Sequence, residues 1–352
     1  MIDAGAKSEI YWNIEKQLGE KGFDLFYPIH TSWYNALIKG ENLVESGTLK
    51  LLPEPSAILG EDGAFNAILI GNTKHIWPIF LDWLASRVEE EKRENCNLTD
   101  KEALEHIKSP FDAFVETSIQ HAIQQSCKGN SILSSYELYW SNGKRQKLTV
   151  DAQCDDTNEA NNENNFHCFD DTNKDSFLVS MQRVAITTGK YWHDDGSTKL
   201  CVHPEYGTWT AFRTLVIFET RDAVVSTNSI PQAPSPCPCP VTDEEIKAAK
   251  IVFDYALKMS SDEQGYAATL TKSWQEVSEY LHETVCIGSE WEKVPSSMKG
   301  WIQLRDCISI GRKDWRYSQP QLLYHYTRDA EILCMELKRI TDERDTRHNA
   351  KT

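Results

Sequence analysis

The stretch Cys201-Val-His-Pro-Glu-Tyr-Gly-Thr-Trp-Thr-Ala-Phe-Arg213 runs directly into Thr214-Leu-Val-Ile-Phe218. From Trp209 onward it alternates, with Trp209, Ala211, Leu215 and Ile217 on one face of a predicted strand and Thr210, Phe212, Thr214, Val216 and Phe218 on the other. Arg213 falls on the Trp209 face. A guanidinium on an apolar strand face is costly unless an anion meets it. Its planar fork is the side chain best shaped to hold a carboxylate or phosphate through two hydrogen bonds. Two readings follow from the strand alone: an internal ion pair with an Asp or Glu, or an anchor for an anionic ligand.

The elements that must hold this strand are legible in order. Ile10, Ile14 and Leu18 recur at helical spacing, with Gly22 as the stop. Phe65–Ile70 has the composition of a buried strand, and Asn72-Thr73 is placed to cap a helix through Ile76, Phe80, Trp83 and Leu84. Residues 88–101 read as a charged, solvated run, and Pro110 opens a helix carrying Phe111, Phe114, Val115 and Ile119. Leu133–Trp140 and Lys147–Val150 form a hairpin across Asn142-Gly143. A helix with Phe177, Met181 (or Val184) and Ala185 at helical spacing precedes the aromatic run Tyr191-Trp192-His193. Thr242-Asp-Glu-Glu245 is a capping box, opening a helix with Ile246, Ala249, Phe253 and Ala256 on one side. A second helix carries Trp274, Val277, Leu281 and Val285, and an amphipathic helix spans Ile332–Arg344.

Composition bounds the partners. The 37 basic and 53 acidic residues leave a formal charge of -16, which disfavours nucleic acid and anionic membrane while allowing a local basic pocket. No apolar run approaches the roughly 20 residues of a membrane span, and the N-terminus lacks a signal-peptide core. A soluble cytoplasmic protein is the expectation. Ten cysteines are scattered, and only Cys237-Pro-Cys239 is closely spaced, so reduced thiols and no metal site are expected. The segment 151–175 is rich in Asp, Asn, Glu and Thr and reads as a disordered insertion. Prolines across 229–240 enforce an extended linker.

The Cys201–Arg213 motif resembles the signature strand of the MMACHC (CblC) family of cobalamin-processing proteins. Further motifs recur in the same order: Gly22-Phe-Asp-Leu-Phe-Tyr-Pro with Trp33-Tyr34-Asn35, the helix around Gln182 that ends at Gly189, Trp301-Ile-Gln-Leu-Arg305-Asp306, and Arg316-Tyr317-Ser318 with Gln321, Tyr324 and Thr327. The chain departs from the family at Ile186, where the family carries a histidine. The resemblance implies an α+β, flavin nitroreductase-like fold with an antiparallel sheet flanked by helices. On that basis 1–150 is the N-terminal part of the domain, 176–228 the cobalamin and glutathione core, 241–298 a helical insertion and 299–345 the C-terminal part.

The implied activity is removal of the upper axial ligand from base-off cobalamin, by reductive decyanation with FMN or FAD as electron donor and by dealkylation with glutathione. Arg213 and Arg305 are the implied glutathione anchors. Val179, Ser180, Met181, Gln182, Tyr191, Trp192, His193, Cys201 and Phe212 are the implied cobalamin contacts. Cys201 has no base at a recognisable partner position and reads as a pocket wall. The implied partners are an MMADHC (CblD)-like protein, a flavin reductase drawing on NADPH, and a second copy of the chain in a homodimer. Two other classes remain open: a non-catalytic cobalamin carrier, favoured by Ile186, and a flavin oxidoreductase of the same fold acting on another substrate.

Overall fold

A computed structural model describes residues 9–54, 65–130, 133–150, 179–220, 231–261, 294 and 296–349. The predicted insertion at 151–175, Phe177 and the predicted helix around Trp274 lie outside those residues. The chain divides into two units: Met1–Asn72, Thr117–His193 and Ala211–Pro238 form the first, and Thr73–Glu116, Asp194–Thr210 and Cys239–Thr352 the second.

The first unit is an antiparallel five-stranded sheet flanked by helices. Its strands are β1 (Leu25–Ile29), β2 (Ala67–Asn72), β3 (Leu133–Trp140), β4 (Arg145–Thr149) and β7 (Ala211–Thr220), in the order β1-β2-β7-β3-β4. The apolar run Ala67-Ile-Leu-Ile70 is wholly buried, as an internal strand requires, and Leu69 lies opposite Leu215 of β7. Edge strand β4 shows Arg145, Lys147 and Thr149 to solvent, and charge on an edge discourages further strand pairing. The Asn142-Gly143 turn joins β3 and β4 as expected, with Gly143 at φ 85° and Asn142 Oδ1 accepting from the Lys144 amide.

Among the described residues this unit holds α1 (Glu9–Gly19), α2 (Thr31–Gly40), the short α6 (Met181–Thr187) and, from Thr117 onward, the greater part of the helix Pro110–Cys127. The helix α1 buries Ile10, Ile14 and Leu18, the predicted stripe. Gln120 of α5 (Pro110–Cys127) donates to Gln146 across the sheet face that carries Leu138 and Val216. β5 (Trp192–His193) follows α6, which packs on α2, β1, β5 and β7.

The second unit is helical. It holds α3 (Ile76–Glu94), α4 (Asp100–His106), the start of α5, the two-residue β6 (Cys201–Val202), α7 (Asp243–Ser261), α8 (Ser296–Asp306), α9 (Arg312–Trp315), α10 (Gln319–Thr327) and α11 (Ala330–Asn349). Phe80 is its aromatic hub, with Phe111, Trp77, Phe114 and Tyr324 at ring separations from 4.9 to 6.3 Å. The run from 88 to 101 is not merely solvated. α3 continues through Glu94, and Thr99 and Glu102 form a capping box that starts α4, a signal the charge pattern obscured. The predicted box at α7 is present: Thr242 Oγ1 accepts from the Glu245 amide, and Glu245 Oε2 accepts from the Thr242 amide. α7 and α8 meet closely because residue 300 is glycine. A Cβ there would stand 2.9 Å from the Ala256 Cα.

Candidate functional site

The strand that carries Arg213 starts two residues later, at Ala211, and is less regular than strict alternation implies. Trp209 precedes β7, and the β2 register passes from Ile70–Thr214 to Gly71–Phe212, so Arg213 is the extra residue of a β-bulge. Gly71 makes room for it: a Cβ at that position would lie 2.7 Å from the Ala211 carbonyl oxygen. The half-buried Arg213 side chain donates through Nε to Asn72 Oδ1 at 2.6 Å, while its carbonyl accepts from the Ser141 amide. The ligand holding Nε is thus a neutral carboxamide. Asn72, expected as the cap of α3, instead ends β2 with no exposed surface. The helix begins later, after His75.

The implied cobalamin contacts on α6 and after it gather in the same unit. Ser180 is the N-cap of α6, its Oγ accepting from the Arg183 amide, and its own amide donates to the Tyr34 hydroxyl at 3.4 Å. Arg183 pairs with Glu41 at 2.6 Å, tying α6 to the end of α2. Burial pushes the Tyr34 hydroxyl above its ordinary pKa, so it stays protonated. Tyr191 stands edge-on to Phe212 at 5.0 Å and to Tyr27 at 5.6 Å, with the two tyrosine hydroxyls 3.5 Å apart. Met181 and Tyr191 are buried; Val179, Ser180, Trp192, His193, Phe212 and Ile186 are half-buried, and Gln182 is exposed.

The extended proline-rich segment lies against Trp33 of α2 and against Gly189, just beyond the end of α6. Pro231 accepts from the Trp33 indole at 2.7 Å, and a Cβ on Gly189, which sits at φ 67°, would meet the Ser235 carbonyl oxygen at 2.7 Å.

Cys201 and Arg305 belong to the second unit. Cys201 is half-buried in β6. In the turn that follows, His203 Nδ1 accepts from the Glu205 and Tyr206 amides, so that nitrogen carries no proton. Two left-handed glycines interlock behind it. A Cβ on Gly207 would lie 1.9 Å from the Ile310 carbonyl oxygen, and one on Gly311 would lie 2.4 Å from the Tyr206 carbonyl carbon.

Half-buried Arg305, at the end of α8, donates through Nε and Nη2 to the Thr208 carbonyl. Its guanidinium lies 4.5 Å from the Trp209 ring centre and 4.8 Å from that of Tyr317. Beside it Arg316 makes a two-pronged pair with Asp306, whose carboxyl is raised by burial against the pull of Arg316. The Trp209 Nε1 is buried without a partner.

The chain is similar in structure to a solved B12-trafficking protein CblC from C. elegans, itself described as a homologue of human MMACHC. That similarity covers 92% of this chain and 94% of that chain, at 17% identity and a TM-score of 0.49. No protein-family model and no curated protein matches the chain. Among the described residues no group of three His, Cys, Asp or Glu side chains could hold a metal ion, and no helix is long and apolar enough to cross a membrane.

The residues fit a corrin-sized ligand unevenly. Phe212, Trp192 and His193 offer ring surface, and Ser180 and Gln182 offer small polar groups suited to amides. Tyr191, only 1% exposed, supports Phe212 from behind instead of presenting a face of its own. Sequence reasoning took Asn72 for a helix cap and Tyr27 for part of a motif, and foresaw neither the bond from Asn72 to Arg213 nor the contact of Tyr27 with Tyr191. Gly71 was the available signal for the bulge beside Asn72, since a glycine late in a strand marks a bulge or a close backbone approach; the contact of Tyr27 gave none, since its partner Tyr191 is 164 residues away.

Proposed function

We propose that this protein binds a cobalamin with its lower base displaced and removes the upper axial ligand. The observation that carries the reading is the clustering of α6's first turn, Tyr191 and the Phe212–Arg213 bulge in one unit, at the positions the sequence resemblance assigns to cobalamin and glutathione. In dealkylation the glutathione thiolate attacks the alkyl carbon of the substrate. The new S–C bond forms as the Co–C bond breaks, and its electron pair stays on cobalt as cob(I)alamin. The protein's part is to hold the reactants. Phe212 and its half-buried neighbours take the ring system, and Arg213 takes a glutathione carboxylate while its charge favours the thiolate. Decyanation instead draws electrons from a reduced flavin delivered by a separate reductase.

The test is an absorbance spectrum of methylcobalamin with the purified protein, before and after anaerobic glutathione. A base-off shift followed by formation of cob(I)alamin supports the proposal. A shift with no further change, there or with cyanocobalamin and reduced flavin, supports a carrier, the reading Ile186 favours. No shift at all overturns cobalamin binding.

A further inference from the structure

We infer that the proline-rich segment is a brace for the turn that carries the aromatic run, and that Trp33 and Gly189 are the positioning residues through which it acts. This role rests on the proposed function only in naming the ligand of that run as cobalamin.

From Pro231 to Pro238 the segment repeats every three residues. Pro231, Pro234 and Cys237 are half-buried, while Gln232, Ala233, Ser235, Pro236 and Pro238 are exposed. Three residues per turn is the period of a polyproline II helix, so one ridge lies on the unit and the other two face solvent. The prolines hold φ in this range before the segment docks, so it gives up little entropy in lying down. A flexible spacer would show no such repeat.

The inner ridge is fastened at two places. The Trp33 indole donates to the Pro231 carbonyl at 2.7 Å, and Trp33 is only 7% exposed, so the bond is shielded from water. A polyproline II helix makes no internal hydrogen bonds, which leaves its carbonyls to outside donors such as this one. One turn further on, the segment presses on Gly189. A Cβ there would stand 2.9 Å from the Pro234 Cβ and 2.7 Å from the Ser235 carbonyl oxygen, at a φ of 67°. Glycine meets both demands, the close approach and the left-handed backbone.

The turn beneath the brace leads straight to the ring stack. The Gly189 amide donates to the Ile186 carbonyl, and the Lys190 amide to Thr188 Oγ1. Tyr191 follows, edge-on to Phe212 at 5.0 Å and to Tyr27 at 5.6 Å. Two residues separate Gly189 from Tyr191, so a shift of the turn passes to Tyr191 and from its edge to the half-buried Phe212 ring.

Trp33→Phe removes the donor and keeps a ring, and Gly189→Ala pushes the segment away at the other fastening. The first readout is fluorine-19 NMR of 3-fluorotyrosine at Tyr191, identified by its loss in Tyr191→Phe, with Tyr139 in β3 of the same unit as the control. The second is the Kd for methylcobalamin, from the base-off change in absorbance.

Trp33→Phe should shift and broaden the Tyr191 signal, leave that of Tyr139 in place, and raise Kd about fivefold, the scale of one neutral hydrogen bond. The double variant should bind no worse than the weaker single variant, because both substitutions release the same segment. A Tyr191 signal that ignores Trp33→Phe overturns the brace, as do equal shifts of both tyrosines, an unchanged Kd, or losses that multiply in the double variant. Where Gly189→Ala does not fold, Trp33→Phe alone decides through the same two readouts. If the parent never gives a base-off shift, the proposed function fails, while the Tyr191 signal still decides whether the segment braces the turn.

Discussion

Arg213 and Arg305 were expected to act alike and are held in different ways. Arg305 has its fork spent on the Thr208 carbonyl and its faces against Trp209 and Tyr317. That is the environment of a structural clamp on the turn between Tyr206 and Trp209. Arg305→Ala should lower stability by about 2 kcal/mol, from charged hydrogen bonds and cation–π contact, read as a fall in Tm. Arg213→Ala should instead slow glutathione-dependent dealkylation with little change in cobalamin binding. Equal glutathione kinetics in variant and parent sink the anchor assignment.

A third residue reports on pH. His30 precedes α2, is 2% exposed with Nδ1 unpartnered, and burial lowers its pKa below the usual 6.5, with Glu54 opposing. A depressed histidine leaves stability intact above the unfolded value and erodes it as pH falls below about 6.5, because the unfolded chain takes up the proton first. Urea midpoints at pH 7.5 and 5.5 should therefore diverge more for the parent than for His30→Gln; parallel shifts would remove His30 as the source.

At the scale of elements, the turn from His203 to Trp209 and the turn entering α9 interlock through glycines that no side chain can replace. Gly207→Ala combines a left-handed φ of 59° with backbone at 1.9 Å and should abolish soluble expression. Gly143→Ala is the control. Its φ is also positive, at 85°, but nothing lies within 4 Å, so the cost should be only about 1 kcal/mol. Comparable losses in the two variants would mean that conformation, not contact, governs Gly207.

The same elements show what a sequence displays. The α1 stripe, the β3–β4 turn and the α7 capping box were legible because each is set by residues within a few positions of one another. The Arg213 bulge was not. Alternation assumes an unbroken strand, and the break at Arg213 depends on Gly71, 142 positions earlier. The Thr208–Arg305 clamp was hidden for the same reason, since its two halves are 97 positions apart. Arg305 could be singled out as a cation, but not as one already engaged by the backbone.

The whole molecule is two units that share one chain, which passes between them at 72/73, 116/117, 193/194, 210/211 and 238/239. The fourth passage falls inside the signature motif and the second inside helix α5. Neither unit is a continuous segment, and helix α5 has residues in both. Each also contains a buried cysteine whose thiol burial pushes up to about 12, Cys127 in the first and Cys307 in the second. Such thiols are protonated and shielded, hence slow to alkylate, whereas exposed Cys96 and Cys239 should react at once. Pulsed iodoacetamide labelling along a urea series, with each cysteine read by mass spectrometry, follows the two units separately. Cys127 and Cys307 should become reactive at the same urea concentration, as one cooperative transition requires. Release of Cys307 well before Cys127 would show that the helical unit opens alone, and that the Arg305 clamp can be lost while the Arg213 bulge stays folded.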